Sequence, residues 1–203
     1  MAKDRIKFDD SDFQLTKIVG AGVAVVTAII SVVIPIITWA RGEPLDTEVS
    51  PEVAGQALAG AEPGVYLGHG REIQATFTDA GLGLWLASLA PAVLFVMILA
   101  VVVWLLWQLL DDVRGGHPFT LANVRRMRAI AMVIVGGSVL LFLAGGVSNG
   151  ILSSAAVEGV DAMFIAGGDA RDLLLPGVGF LIAGLAEAFR RGIELEQDVE
   201  GLV

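Results

Sequence analysis

The chain has 203 residues, and 55% of them are apolar, more than the roughly 45–50% of ordinary soluble domains. It contains no cysteine, which excludes disulfides, thiol nucleophiles, thiolate zinc sites and iron–sulfur clusters. The formal net charge of −9 does not by itself indicate a partner, so the positions of the charges along the chain are considered below.

Four apolar runs separated by short charged segments predict an integral membrane protein. A helix needs about 20 residues at 1.5 Å rise to cross roughly 30 Å of hydrocarbon. The predicted spans cover about residues 18–40, 82–110, 129–151 and 173–189, with outer loops at 41–81 and 152–172 and a cytoplasmic loop at 111–128. The fourth span is short, roughly 25 Å long, which a bilayer accommodates by thinning slightly. The expected fold is all-α, with residues 1–203 forming one membrane domain built as a four-helix transmembrane bundle.

Lysine and arginine are concentrated on one side of this predicted topology. The N-terminal head, the cytoplasmic loop and the C-terminal tail carry ten of the 13 basic residues, and the two outer loops carry three. The positive-inside rule therefore places both termini in the cytoplasm. A chain with three spans would leave Arg190 and Arg191 outside, which favours the short fourth span.

The longer outer loop is acidic and contains a segment typical of a β-hairpin. Its first half, residues 43–60, has turn-forming residues and no clear period. In its second half, Val65–Leu67 and Ile73–Phe77 flank a glycine turn at residues 68–70, which predicts a hairpin. His69 in that turn is either a turn residue or a ligand, and nothing in the loop specifies what it would bind.

The predicted membrane interior carries little reactive chemistry. Glu187 is the only ionisable residue inside a span, and it precedes Arg190 and Arg191 by three and four positions, on one helix face near the inner interface. Transporters usually hold charge near the midplane, which these runs do not. The two histidines, His69 and His117, are predicted on opposite sides of the bilayer. Because the sequence shows no nucleophile–base pair, metal cluster or phosphate loop, we expect no enzymatic activity, no cofactor and no metal site.

The cytoplasmic loop is the most specific stretch of the sequence. A glycine pair at residues 115–116 is predicted to end the second helix, and Pro118 and Phe119 favour an extended approach to the third. Thr120 is well placed as the N-cap of a helix beginning at Leu121, with the side chain of Asn123 turned back towards it.

Three arginines, Arg125, Arg126 and Arg128, then fall in the first two turns of that helix, the unfavourable end of its dipole. They need an anionic partner, which is lipid phosphate, the Asp111–Asp112 pair, the acidic tail or another protein. A nucleic-acid patch is the alternative, but topology alone requires arginines beside a bilayer. We therefore expect contact with anionic lipids and no direct nucleic-acid binding.

The C-terminal tail alternates acidic and apolar residues from Ile193 onwards. Alternation suits an extended strand, and a disordered, solvated tail is the other interpretation. Gly192 suits the C′ position of the fourth helix. The arginine loop and the tail together form the candidate docking surface, which comprises Arg114, Pro118, Phe119, Thr120, Asn123, Arg125, Arg126, Arg128, Glu187, Arg190, Arg191, Glu194 and Glu196.

These segments also carry a resemblance to a known family. The pattern G-x-P-F-T-x-x-N-x-x-R-x-R before the third span and the pattern A-E-x-F-R-R-G-x-x-L in the tail resemble a bacterial family of four-span membrane proteins of unknown function. The resemblance covers the inner half of the chain well and the outer loop hardly at all. It implies a place in the bacterial plasma membrane and a cytoplasmic helix-turn-helix regulator as a partner, because members are often encoded beside one. It implies no catalytic residues.

Two functions remain open from the sequence. The first is a membrane-embedded regulatory or scaffold protein whose cytoplasmic face binds a soluble partner. The second is a subunit of an oligomeric small-solute permease or channel. Glycines such as Gly136, Gly145 and Gly184 allow close helix packing, either within one bundle or between copies in a homo-oligomer.

Overall fold

The computed structural model describes residues 10–49, 65–67, 73–115, 119–157, 161, 163–166 and 173–200. Most of these residues are helical. The helical elements are α1 (Asp10–Ala28), a π-helical turn (Ile29–Val33), α2 (Ile34–Ala40), α3 (Leu82–Arg114), α4 (Leu121–Ala156) and α5 (Leu174–Glu200). The strands are β1 (Leu45–Val49), β2 (Val65–Leu67) and β3 (Ile73–Phe77), which form an antiparallel sheet in the order β1-β3-β2.

Three helical stretches of the described chain are long and apolar enough to cross a membrane. They are Ser11–Ala40, α3 and α4. No residue in the most apolar window of the first stretch is buried, so its apolar side chains face outward, as contact with lipid requires. The protein is therefore membrane-embedded. The first 18 residues of α5 include three charged residues, Glu187, Arg190 and Arg191. The apolar run of this helix is therefore short, and the fourth span stays a prediction.

The first helical stretch widens directly before a proline. The amide N–H of Ile34 donates to the carbonyl of Ile29, the i to i−5 bond of a π-helix. Pro35 follows, and a proline ring clashes with the carbonyl four residues earlier, here Ser31 within the π turn. The wider turn relieves this clash without ending the helix. Pro91 likewise lies inside α3 and does not end that helix.

The chain divides into two compact units. The first unit comprises Met1–Val26, Ile98–Gly136 and Leu174–Val203, and the second comprises Thr27–Met97 and Gly137–Leu173. The second unit has a core between the inner face of the sheet and residues of α3 and α4. Its buried members are Leu45, Ala75, Phe77, Trp85, Leu152, Ala156, Val157 and Ile165. Trp39, at the end of α2, stacks on Trp85 with ring centroids 6.3 Å apart.

The sheet corrects the interpretation of the longer outer loop. Its first half was expected to lack a regular period, yet β1 pairs antiparallel with β3, with Leu45 opposite Phe77. Leu45, Thr47 and Val49 alternate with acidic residues, a period-2 pattern that a five-residue strand can carry. The predicted hairpin arms, β2 and β3, do pair antiparallel. Their turn at residues 68–70 lies outside the described residues, as does His69, so the hairpin stays a prediction.

The tail also departs from the prediction. Its described residues are helical, because α5 continues through Gly192 to Glu200. Ala186 and Ile193, seven residues apart, are both buried, and this helical spacing buries apolar surface that the alternating pattern would not. An ion pair between Arg190 and Glu194 bridges Gly192, where glycine costs about 1 kcal/mol relative to alanine. The predicted helix end at Gly192 was therefore wrong.

Candidate functional site

The connection between α3 and α4 lies in the first unit, and the two helices end and begin where the sequence predicts. α3 ends at Arg114, a basic residue in the last turn that favours the helix dipole, and α4 begins at Leu121. The hydroxyl of Thr120 accepts a hydrogen bond from the backbone N–H of Asn123 at 3.2 Å, so the predicted N-cap is confirmed. Residues 116–118, including His117 and Pro118, lie outside the described residues.

Arg126 joins the first turns of α4 to the end of α3. Its Nε donates to Gln108 Oε1 at 3.2 Å, and its Nη1 donates to Asn123 Oδ1 at 2.8 Å and also pairs with the carboxylate of Asp112. Asn123 is buried, whereas Arg126 is partly exposed. One of the anionic partners expected for the arginine loop is thus the neighbouring Asp112. It offsets the unfavourable position of Arg126 at a helix N-terminus.

Glu187 is the centre of a second cluster, in which three guanidinium groups meet one carboxylate. Arg128 Nη2 and Arg190 Nε both donate to Glu187 Oε2 at 2.9 Å. Arg190 Nη2 donates to Glu187 Oε1 at 2.6 Å, and Arg191 Nε donates to the same oxygen at 3.2 Å. We call Glu187, Arg128, Arg190 and Arg191 the Glu187 cluster. Because Arg128 belongs to α4 and the other three to α5, the cluster joins these two helices.

Three other predicted docking residues, Phe119, Arg125 and Glu194, fall within the described part of the chain and differ in their contacts. Phe119 stacks on Phe189 of α5 with ring centroids 5.5 Å apart, and more than half of its surface is still exposed. Arg125 is exposed and pairs with no acid among the described residues. Glu194 pairs with Arg190 of its own helix rather than with the arginines of the loop. The side chain of Glu196 lies outside the described residues.

Three contributors to this region were not identified from the sequence. Lys17 of α1 pairs with Asp111 of α3, Gln108 contacts Arg126, and Phe189 supports Phe119. Gln108 lies four residues before Asp112, so the two side chains share a helix face, and this spacing was the available signal. Lys17 is 94 residues from Asp111, and no local pattern connects them. Among the described residues, no group of three or more His, Asp or Glu could hold a metal ion.

Comparison with known proteins now places the chain in a family. Residues 45–202 match the model of a family described as "Protein of unknown function (DUF2975)". The chain belongs to this family. The match confirms the expected kinship with a family of unknown function, and it begins at β1. The sheet of β1, β2 and β3 is therefore part of the family's region, contrary to the expectation that the resemblance hardly covers the predicted outer loop.

No curated protein and no solved structure matches the chain. The family region includes α3, α4 and α5, and with them both arginine clusters. The function of these clusters therefore has to be inferred from their chemistry.

Proposed function

We propose that this DUF2975 protein spans the bacterial plasma membrane four times, with both termini in the cytoplasm. The distribution of basic residues supports this topology, because ten of the 13 fall in the segments of the first unit. The fourth span would be the first part of α5, where Leu181 and Leu185 expose apolar surface before the charged residues begin.

Cysteine labelling tests this topology on a chain that has no cysteine of its own. Single cysteines replace Ser50 in the outer loop and Gln197 in the tail. A membrane-impermeant maleimide should label position 50 in intact cells and position 197 only after the cells are permeabilised. The reverse pattern would show that the topology is inverted.

We further propose that the protein is a non-enzymatic regulatory or scaffold protein whose cytoplasmic face binds a soluble partner. The observation that carries this proposal is an exposed patch formed by Phe119, Leu121 and Arg125. Leu121 and Arg125 are four residues apart and share a face of α4, and Phe119, two residues before Leu121, stacks on Phe189. Aromatic and arginine side chains dominate the energetics of protein interfaces. The cationic patch suits a partner with an acidic rim, and the family resemblance implies a helix-turn-helix regulator.

A pull-down with purified components tests the partner. The bait is the full chain in detergent, and the prey is a helix-turn-helix regulator encoded beside its gene, if one is encoded there. Wild type should retain the regulator, and the double variant Phe119→Ser with Arg125→Glu should lose most of it. Arg41→Glu makes the same charge change in the second unit and should retain it. Failure of wild type to bind would refute this choice of partner, and equal retention by the double variant would refute the docking patch.

A further inference from the structure

The carboxylate of Glu187 has no acceptor capacity left. A carboxylate offers about four lone-pair sites on its two oxygens. In the Glu187 cluster each oxygen already accepts two N–H groups, from Arg128 and Arg190 on one side and from Arg190 and Arg191 on the other. The remaining N–H groups of the cluster must therefore bond to something other than Glu187.

Within the described part of the chain, Arg128 and Arg191 use little of their hydrogen-bonding capacity. A guanidinium has five N–H donors, and each of these residues gives one of them to Glu187. Their side chains are 49% and 72% exposed, whereas Arg190 uses its donors on Glu187 and Glu194. The three arginines of the cluster also outnumber the two acids that they contact, Glu187 and Glu194, so a positive charge remains. Arg125, one turn before Arg128 on α4, adds to that charge.

The cluster lies where two apolar helical runs become polar. On α4, Met132 is one turn beyond Arg128, on the same face, and is 75% exposed. On α5, Gly184 lies two turns before Arg191 on the same face, where a Cβ would meet no atom within 4 Å. Leu181, one turn earlier, is 70% exposed. The exposed guanidinium groups of Arg128 and Arg191 thus lie next to exposed apolar surface on their own helices. This arrangement suits a ligand that has both a negatively charged head and an apolar body.

We propose that Arg128 and Arg191 form a binding site for the phosphate of an anionic phospholipid, with Glu187 holding the two guanidinium groups side by side. Arginine matches phosphate oxygens with paired, charge-assisted hydrogen bonds. The acyl chains would lie against Met132 and Leu181, which a free phosphate ion cannot use. The site goes beyond the docking patch of Phe119, Leu121 and Arg125, and it does not depend on any soluble partner.

Lipid-dependent thermal stability tests the site. The full chain is purified in dodecyl maltoside, and its melting temperature is followed by tryptophan fluorescence as dioleoylphosphatidylglycerol is added. This lipid should raise the melting temperature of wild type in a saturable manner. Dioleoylphosphatidylcholine, which has the same chains but no net charge, and inorganic phosphate should not. The double variant Arg128→Gln with Arg191→Gln should need about tenfold more phosphatidylglycerol for the same effect.

Two controls keep the result interpretable. Arg41→Gln removes a charge from the end of a helix in the second unit and should respond to phosphatidylglycerol like wild type. If the double variant shows no unfolding transition, Arg191→Gln alone replaces it, because its bond to Glu187 is the longest of the four at 3.2 Å.

Several results would overturn the proposal. Equal stabilisation by both lipids, or a wild-type response from the arginine variant, would remove the site. Equal stabilisation by inorganic phosphate would make it a site for a free anion. An equal effect of a soluble poly-glutamate peptide would make it a protein-binding surface instead.

Discussion

Gly179 lets α5 approach α4 closely, and replacing it should separate the two helices. A Cβ at this position would lie 2.6 Å from Val135 Cγ2 and 3.2 Å from the carbonyl oxygen of Ala131. Real Cβ atoms essentially never approach another atom as closely as 2.6 Å. Valine is β-branched and stiff at χ1, so its methyl group cannot swing aside freely. We expect Gly179→Ala to destabilise the packing of α5 on α4.

The size of the effect follows from a matched comparison with Gly184. Both glycines lie inside α5, and a Cβ at Gly184 would meet no atom within 4 Å. Alanine gains about 1 kcal/mol over glycine in a helix interior at either position. Overpacking a well-packed site costs about 1–3 kcal/mol. Because the helix-propensity gain of alanine over glycine is the same at both positions, it cancels in the comparison. The free energies of unfolding of Gly179→Ala and Gly184→Ala should therefore differ by about 1–3 kcal/mol.

Thermal unfolding in detergent measures this difference. Gly184→Ala should melt at or above the wild-type temperature, and Gly179→Ala several degrees below Gly184→Ala, at about 2–4 °C per kcal/mol for a chain of this length. Adding Val135→Ala to Gly179→Ala removes the clashing methyl group and should recover part of the loss. Equal melting temperatures for the two glycine variants, or no recovery in the double variant, would refute the close contact.

Two further predictions concern the cap of α4 and the core of the second unit. Thr120→Ala should lower stability by about 1 kcal/mol, because the N–H of Asn123 loses its acceptor, while Thr120→Ser should be nearly neutral; equal melting points for all three would contradict the cap. Phe77→Ala should cost about 3–5 kcal/mol, because this side chain is only 4% exposed in the core. Phe180→Ala, at a position 66% exposed, should cost far less, and a comparable loss would contradict the assigned core.

The features that could be predicted from the sequence are those encoded over short distances along the chain. The membrane class follows from run length, because an apolar stretch either is or is not long enough to cross a bilayer. The cap at Thr120 could be predicted in the same way, since the capping hydroxyl and the N–H group that donates to it are only three residues apart. Three of the four members of the Glu187 cluster could also be predicted, because Arg190 and Arg191 lie three and four residues after the carboxylate on one helix.

The features that escaped prediction depend on competition between patterns or on distant contacts. Residues after Gly192 alternate like a strand, but burial of Ile193 on the same face as Ala186 makes the helix the better solution. β1 was missed because its acidic residues are poor strand formers. Its strand conformation depends on the pairing with β3, which is about 30 residues away in the sequence. Arg128 lies 59 residues from Glu187, so its place in the cluster depends on how α4 and α5 pack.

The charge pairs of the first unit explain how its helices are held together with little apolar core. Within lipid, apolar side chains gain nothing by leaving one apolar surface for another, so helices associate through close packing and polar contacts. Gly179 supplies the close packing between α5 and α4. Asp111, Asp112 and Glu187 each connect a different pair of helices, through Lys17, Arg126 and Arg128 respectively. Because partly exposed pairs contribute little stability each, their main effect is to select one register among similar helix packings. Arg128 and Arg191, which remain largely exposed, are then held in position by Glu187, which is the condition a specific headgroup site requires.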